Sequence, residues 1–185
     1  MKKEIWLIRH GESEANVAGI IMSNPERGCN GYGLTENGRL QVKKSASNCS
    51  DLKLTRIITS DFLRARETAE IVAKMYQLPA PVLDTGLRER WFGEYDGEAD
   101  SHYRDVWSQD ELAEQGNYKQ VENVGSVLKR GLSVISRLEN KFSNEVLLVV
   151  SHGDMLQILR TAFDGLSASK HRYLTHHQTA EIIKF

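Results

Sequence analysis

Glu145-Val146-Leu147-Leu148-Val149-Val150-Ser151-His152-Gly153 sets five apolar residues in a row and then stops at a polar turn. The run is far shorter than the ~20 residues a membrane-spanning helix needs. Its apolar residues do not alternate with polar ones, so it reads as a strand buried on both faces, the kind found in parallel sheets covered by helices. Upstream, Val124, Val127, Leu128, Leu132, Ile135, Leu138 and Phe142 recur at helical spacing as one apolar face, with Lys129, Arg130, Arg137 and Glu139 off it. Downstream, Asp154 to Phe163 is again helical.

The same alternation extends to both ends of the chain. Glu4-Ile-Trp-Leu-Ile8 reads as a short buried strand. Thr35 caps a helix from Glu36 to about Ser47, and Thr55-Arg-Ile-Ile-Thr59 is a second strand. Ser60 or Asp61 caps the helix that follows, which buries Phe62, Ala65, Ala69, Val72 and Tyr76. Pro79 and Pro81 end it, and Val82-Leu83 opens a short extended segment. From Asp84 to Val121 the pattern dissolves into a long loop with one helix around Tyr103 to Glu114; loops of this length in compact domains are usually functional. Ala180 to Phe185 is a final strand. Strands followed by helices predict a three-layer α/β/α sandwich with a mostly parallel central sheet, a single domain over 1–185.

Composition excludes several classes. The 185 residues are 40% hydrophobic and 26% charged, with 14 Gly and 3 Pro, which fits a globular domain rather than a disordered or fibrous chain. Lys plus Arg number 24 against 25 Asp plus Glu, so no basic surplus marks a nucleic-acid coat. The basic start Met1-Lys2-Lys3 is followed by an apolar run that Arg9 and His10 interrupt, unlike a signal peptide. Cys29 and Cys49 make no CxxC pair. The expectation is a reduced cytoplasmic protein with no membrane and no nucleic-acid partner; oligomeric state is not legible.

In open α/β sheets, ligands bind outside the carboxyl ends of the strands. The first strand ends in Arg9-His10-Gly11-Glu12, and the second in Thr59-Ser60 with Arg64 in the next helical turn. The third delivers Ser151-His152-Gly153. Two arginines and two histidines therefore converge on one sheet edge. Guanidinium forks match phosphate oxygens, helix N-termini favour anions, and Gly11 and Gly153 let backbone approach a ligand. This is a phosphate pocket that contains histidines.

Leu7-Ile-Arg-His-Gly-Glu-Ser-Glu-Ala-Asn16 resembles the opening signature of the histidine phosphatase superfamily, the phosphoglycerate mutase-like proteins, and the rest of the chain matches it more closely to the short phosphatase-type branch. Leu34-Thr-Glu-Asn-Gly-Arg-Leu-Gln41 is similar to the segment before its first long helix, and Thr59 to Ala69 to the segment supplying a second arginine, here Arg64. Leu87-Arg-Glu-Arg-Trp-Phe-Gly93 with Asp96-Gly97 resembles its acid-bearing loop, and Val149 to Gly153 its second histidine segment. Five segments in order carry the resemblance over nearly the whole chain.

The resemblance implies a metal-independent phosphomonoesterase of the histidine acid phosphatase type, acting on a small phosphorylated metabolite through a phosphohistidine, with no cofactor. His10 would be the nucleophile, Glu89 the proton donor, and His152 a catalytic partner. Arg9, Gly11, Asn16, Arg64 and Gly153 would bind the phosphate, the arginines filling the place that Mg²⁺ takes elsewhere. A phosphoglycerate mutase-type phosphotransferase is the enzymatic alternative; such mutases tend to be longer, so hydrolysis is expected. A phosphohistidine protein phosphatase is expected to lack the 88–121 segment. A non-catalytic phosphate-binding module would be expected to lose the nucleophile or the acid.

Plainer readings attach to several of these residues. Glu12 and Asn16 could equally be a helix cap and its partner, Arg66 a solvated neighbour of Arg64, and Glu94, Asp96 and Glu98 rival acids to Glu89. His171, His176 and His177 lack the i, i+4 spacing of a helical metal pair, so no metal site is expected there; Lys170 to His177 reads as a polar loop at the pocket rim. Trp91, Phe92, Tyr95, Tyr103 and Trp107 form either a pocket wall or a small local core. Two departures stand out. Lys119-Gln-Val-Glu-Asn-Val124 lacks the family's Gly-Gly-Glu-Ser-like motif, keeping only Glu122, and Asp154 replaces the common small residue after His-Gly, as a helix cap or as a charge that disfavours bisphosphates.

Overall fold

The computed structural model describes residues 4–112 and 118–185. Five strands form one sheet in the order β3-β2-β4-β1-β5: β1 (Glu4–Arg9), β2 (Arg56–Thr59), β3 (Val82–Leu83), β4 (Val146–Ser151) and β5 (Ile182–Lys184). All neighbours pair in parallel except β5, which closes the edge antiparallel to β1. The helices are α1 (Glu14–Ala18), α2 (Pro25–Gly28), α3 (Glu36–Asn48), α4 (Leu63–Met75), α5 (Tyr103–Leu112), α6 (Val124–Lys141) and α7 (Gly153–Thr161). The expected continuation of α5 to Glu114 lies outside the described residues, as do Met1 to Lys3.

The unbroken apolar run is explained by its place in the sheet. All six residues of β4 are buried. Leu147 and Val149 face a core that includes Val127, Val134, Leu138 and Leu156, from α6 and α7. Leu148 and Val150 face the opposite core, with Val42, Ala65, Ala69 and Val72 of α3 and α4. Each such side chain contributes about 1.5–3 kcal/mol of burial, and the first polar residue, the buried Ser151 at the end of the strand, spends its hydroxyl on Leu87 O at 2.7 Å. Gly131 lets α6 approach α7 closely: a Cβ there would stand 2.7 Å from Met155 Cε.

The structure corrects several local expectations. Thr35 caps α3 as predicted, its side chain accepting from Gly38 N. The N-cap of α4, however, is Phe62, not Ser60 or Asp61. Asp61 is drawn away by a fork from Arg88 (2.6 and 2.8 Å), and Ser60 Oγ accepts from Phe62 N while facing His152. On α6 the buried stripe is rotated: Val134 is fully buried and Leu132 is 37% exposed. Phe92, Tyr95, Val106, Val121 and Ile21 form a small separate core beneath the long loop, so Phe92 and Tyr95 do not line the pocket.

Candidate active site

Strand register builds the site. Because Arg9 pairs with Ser151 across β1 and β4, the residues one step beyond, His10 and His152, leave the sheet side by side. Their rings meet edge to face at 5.2 Å. Thr59 pairs with Val150, which brings Ser60 and the first turn of α4 to the same edge. Arg64 projects from that turn into the site.

His10 is held in one protonation state. Its Nδ1 lies 2.8 Å from Gly11 O, and a carbonyl only accepts, so Nδ1 carries the hydrogen. Nε2 is then a bare lone pair, and it accepts from Arg64 Nε at 3.0 Å. Burial, then the charges of Arg64 and Arg9, hold the imidazole well below its ordinary pKa, against a weaker pull from the Gly11 carbonyl. His152 is fully buried, with Nε2 2.8 Å from Ser60 Oγ, and burial followed by Arg64 keeps it neutral too. His10 is thus a neutral base flanked by the Arg64 and Arg9 guanidinium groups.

The donors around it are left unsatisfied. Arg64 is 4% exposed, and Arg64 Nη2 donates to Met22 O (2.9 Å), while burial lowers its pKa to about 10. Among the described residues, Arg64 Nη1, Arg9 Nε and His152 Nδ1 are all buried without a hydrogen-bond partner. An orphaned buried donor costs about 1–3 kcal/mol. Two such donors, on the arginines beside one histidine, suit a place for an anion. Arg9, Asn16, Glu89, Tyr103, Gly153 and His176 contribute to the walls of a cavity of about 180 Å³, along with Trp107, Asp100 and Asp154.

Glu89 faces the same cavity. Its Oε1 accepts from Arg90 N (2.9 Å) and from Met155 N (3.2 Å) at the start of α7. Burial, then the charge of Asp154, raises its pKa, while Arg64 and the two N–H donors oppose the rise. Two of the three rival acids are engaged elsewhere, Asp96 accepting from Ser23, Asn24 and Arg27 and Glu94 from Gln120, while Glu98 is exposed.

A brace that sequence reasoning missed fixes this loop. Arg130, off the apolar face of α6, donates to the carbonyls of Gly86 (2.9 Å), Arg88 (2.8 Å) and Glu89 (3.2 Å). Glu122 holds Arg130 at 2.8 Å and accepts from Trp91 N at 3.2 Å, and Asn123 caps α6. Arg90 is buried in a double hydrogen bond to Asp110 (2.6 and 2.7 Å), which His171 also reaches at 3.1 Å. The departure at residues 119–124 therefore keeps a glutamate and a cap. Asp154 takes the Trp107 indole N–H (3.1 Å) and a longer contact from Arg90 (3.4 Å).

Other expected ligands take different places. Gly11 gives its N–H to Thr68 Oγ1 (3.1 Å) and its carbonyl to His10, so it serves the pocket through His10. Its missing Cβ matters for packing, since one would stand 2.6 Å from Gly38 O. Ser13 caps α1, and Asn16 Oδ1 accepts from Ser13 N (3.0 Å), so only the amide nitrogen of Asn16 remains for a ligand. Glu12 accepts from Thr35 Oγ1 (2.6 Å) rather than facing the site. Arg66 Nη2 is bound to Cys29 O, not solvated. Gly153 lies at the first turn of α7, against the Arg9 guanidinium. Of the aromatics, Tyr103 and Trp107 are stacked in the wall, ring centroids 5.4 Å apart.

Burying two neutral histidines has a cost in acid. The unfolded chain binds protons at His10 and His152 near pH 6.5, and the folded chain does not. Stability is therefore complete above that pH and lost as pH falls below it. From pH 7.5 to 5.5 the pair should lose on the order of 2–3 kcal/mol of unfolding free energy. Glu89, with its raised pKa, acts in the opposite direction but alone. Urea midpoints at the two pH values check this; an unchanged or higher midpoint at pH 5.5 would contradict the buried neutral pair.

A sequence profile of the histidine phosphatase superfamily (branch 1) matches residues 5–185. The adenosylcobalamin/alpha-ribazole phosphatase of Salmonella typhimurium is 29% identical over 84% of this chain and 76% of its own length. The Erwinia tasmaniensis protein named "Probable phosphoglycerate mutase GpmB" is 31% identical over 92% of this chain and 79% of its own. A mycobacterial glucosyl-3-phosphoglycerate phosphatase, solved with VO3, shares the fold with a TM-score of 0.83 at 21% identity, covering 98% of this chain and 91% of that one.

Proposed function

The chain belongs to the histidine phosphatase superfamily (branch 1), and from that premise we propose that it hydrolyses a small phosphomonoester through a phosphohistidine on His10, without a metal. The observation that carries the reading is the His10 Nε2 lone pair, fixed by the Gly11 carbonyl and surrounded by unspent cationic donors.

In the first step Nε2 attacks phosphorus in line, the N–P bond forms, and the P–O bond to the alcohol breaks. Arg64 Nε must leave Nε2 and turn to a phosphoryl oxygen, joining Arg64 Nη1, Arg9 Nε and His152 Nδ1. The two guanidinium charges, with the neutral His152 ring beside them, stabilise the negative charge on the equatorial oxygens of the transition state, which is mostly electrostatic work. The Gly11 carbonyl supports the positive charge that grows on the imidazole. Glu89, whose raised pKa favours its protonated form, gives its proton to the departing oxygen. It then takes one from the water that attacks the phosphohistidine, releasing phosphate and restoring His10.

The test is release of inorganic phosphate in excess EDTA from an alkyl phosphate and from p-nitrophenyl phosphate, by wild type and Glu89→Gln. Wild type should turn over both; a pure, folded protein that releases phosphate from neither would sink the proposal. The substitution should slow the alkyl ester by about 10²–10⁴-fold, the usual contribution of a general acid. It should slow the nitrophenyl ester far less, because that leaving group departs without a proton. Equal losses on both would remove Glu89 from the acid role. Phosphoryl passage to an added alcohol in place of water would favour the mutase-type reading that the Erwinia relative's name suggests.

A further inference from the structure

The segment from His171 to His177 contributes no residue to the mechanism above, yet His176 lines the cavity and touches Arg9. Arg9 has five N–H donors. Both hydrogens of Nη1 are spent on this segment, one on His176 Nε2 (3.0 Å) and one on His177 O (3.1 Å). Among the described residues Nε has no partner, so the Nε–Nη2 edge of the fork is the one left for two phosphoryl oxygens.

The segment that turns the fork this way is itself pinned. Gln157 of α7 is 1% exposed. Its amide nitrogen donates to the carbonyls of His171 (3.1 Å), Leu174 (2.9 Å) and Thr175 (3.2 Å). Its oxygen accepts from His177 N (3.2 Å). Downstream, Ala180 N donates to Arg9 O (2.9 Å), tying the segment to the end of β1. His176 is thus a fixed acceptor, not a rim residue that happens to lie nearby. Arg9 and Arg172 flank it, with Arg172 Nη2 3.5 Å from Nδ1, and Asp154 and Glu181 supply the nearest negative charge.

We propose that His176 is a positioning residue: as a neutral acceptor it sets the rotation of the Arg9 guanidinium so that its Nε–Nη2 edge meets the transferring phosphoryl group. This rests on the phosphatase reading above. Because Arg9 is asked to match a trigonal-bipyramidal phosphoryl group, losing its orientation should harm transition-state binding more than ground-state binding. Gln is the conservative replacement, since its Oε1 can reach where Nε2 stands and only accepts.

The experiment is a double-mutant cycle between His176 and Arg9, read by kcat, KM and inhibition by orthovanadate and by inorganic phosphate. His176→Ala should lower kcat by about 10–100-fold, the worth of one charge-assisted hydrogen bond, with KM changed little. It should weaken orthovanadate more than phosphate, and His176→Gln should recover most of both losses. In an Arg9→Ala background, His176→Ala should cost almost nothing further. Equal costs in the two backgrounds, an unaffected His176→Ala, or a Gln variant as poor as Ala would overturn the proposal. If wild type binds orthovanadate but shows no turnover, the phosphatase reading fails alone, and the same cycle is read from orthovanadate affinity. No binding by wild type would overturn both.

Discussion

Replacing His10 with alanine is expected to lower kcat by about 10⁴-fold or more, the scale seen when a covalent nucleophile is removed, while substrate binding survives. The expectation follows from the division of labour around the ring. His10 Nε2 is a bare base in contact with Arg64, held in its tautomer by Gly11 O. The groups that would hold a phosphate, Arg9, Arg64 and His152, all stay in place. A competitive inhibitor such as inorganic phosphate should bind the variant at least as well, because Arg64 Nε is freed from its contact with Nε2. The fold should persist, since His10 lies beyond the last residue of β1 and joins neither apolar core. A loss of only about tenfold would mean that phosphoryl transfer bypasses this residue.

Arg64→Met carries the second largest expected effect, and it should separate activity from stability. Arg64 is buried without a carboxylate among its hydrogen-bond partners, which are His10 Nε2 and Met22 O. Burial lowers its pKa to about 10, a sign of how poorly the site solvates its charge. Removing it forfeits two hydrogen bonds at about 1–2 kcal/mol each but also removes a buried charge, whose cost is several kcal/mol. The urea midpoint should therefore hold or rise. Activity should not: kcat/KM is expected to fall by about 10³-fold, as when a donor to developing negative charge is lost. Arg64→Lys should recover little, because an ammonium cannot span His10, Met22 O and a phosphoryl oxygen as a planar fork does. A variant that loses both activity and midpoint would make Arg64 a structural residue.

Both variants concern residues that were legible before the structure, and the reason is geometric. Side chains at strand ends and in first helical turns are placed by local pattern, so Arg9, His10, Arg64 and His152 follow once the strands are recognised. The sheet order is another matter, since no local pattern says that β4 lies between β2 and β1. Residues defined by distant partners were misread for the same reason. Arg130 was read only as lying off the apolar face of α6, yet its acceptors include carbonyls more than forty residues upstream. Leu132 was read as part of the buried stripe of α6 but is 37% exposed, while Val134, which that reading left out, is buried against the core shared with α7. Ser60 resembled a helix cap by spacing, and its hydroxyl instead faces His152 across the sheet edge. Gly11 was read as making room for a ligand, and it makes room for α3.

The proposed chemistry rests on one covalent bond, between phosphorus and His10. Mixing the protein with a phosphomonoester in EDTA, quenching in alkali within a turnover and mapping the phosphorylated peptide by tandem mass spectrometry tests that bond directly. A phosphoryl group on His10, formed and lost at rates that account for turnover and absent from His10→Ala, is the predicted result. Steady hydrolysis with no phosphoenzyme, or with the phosphoryl group on another residue, would contradict it.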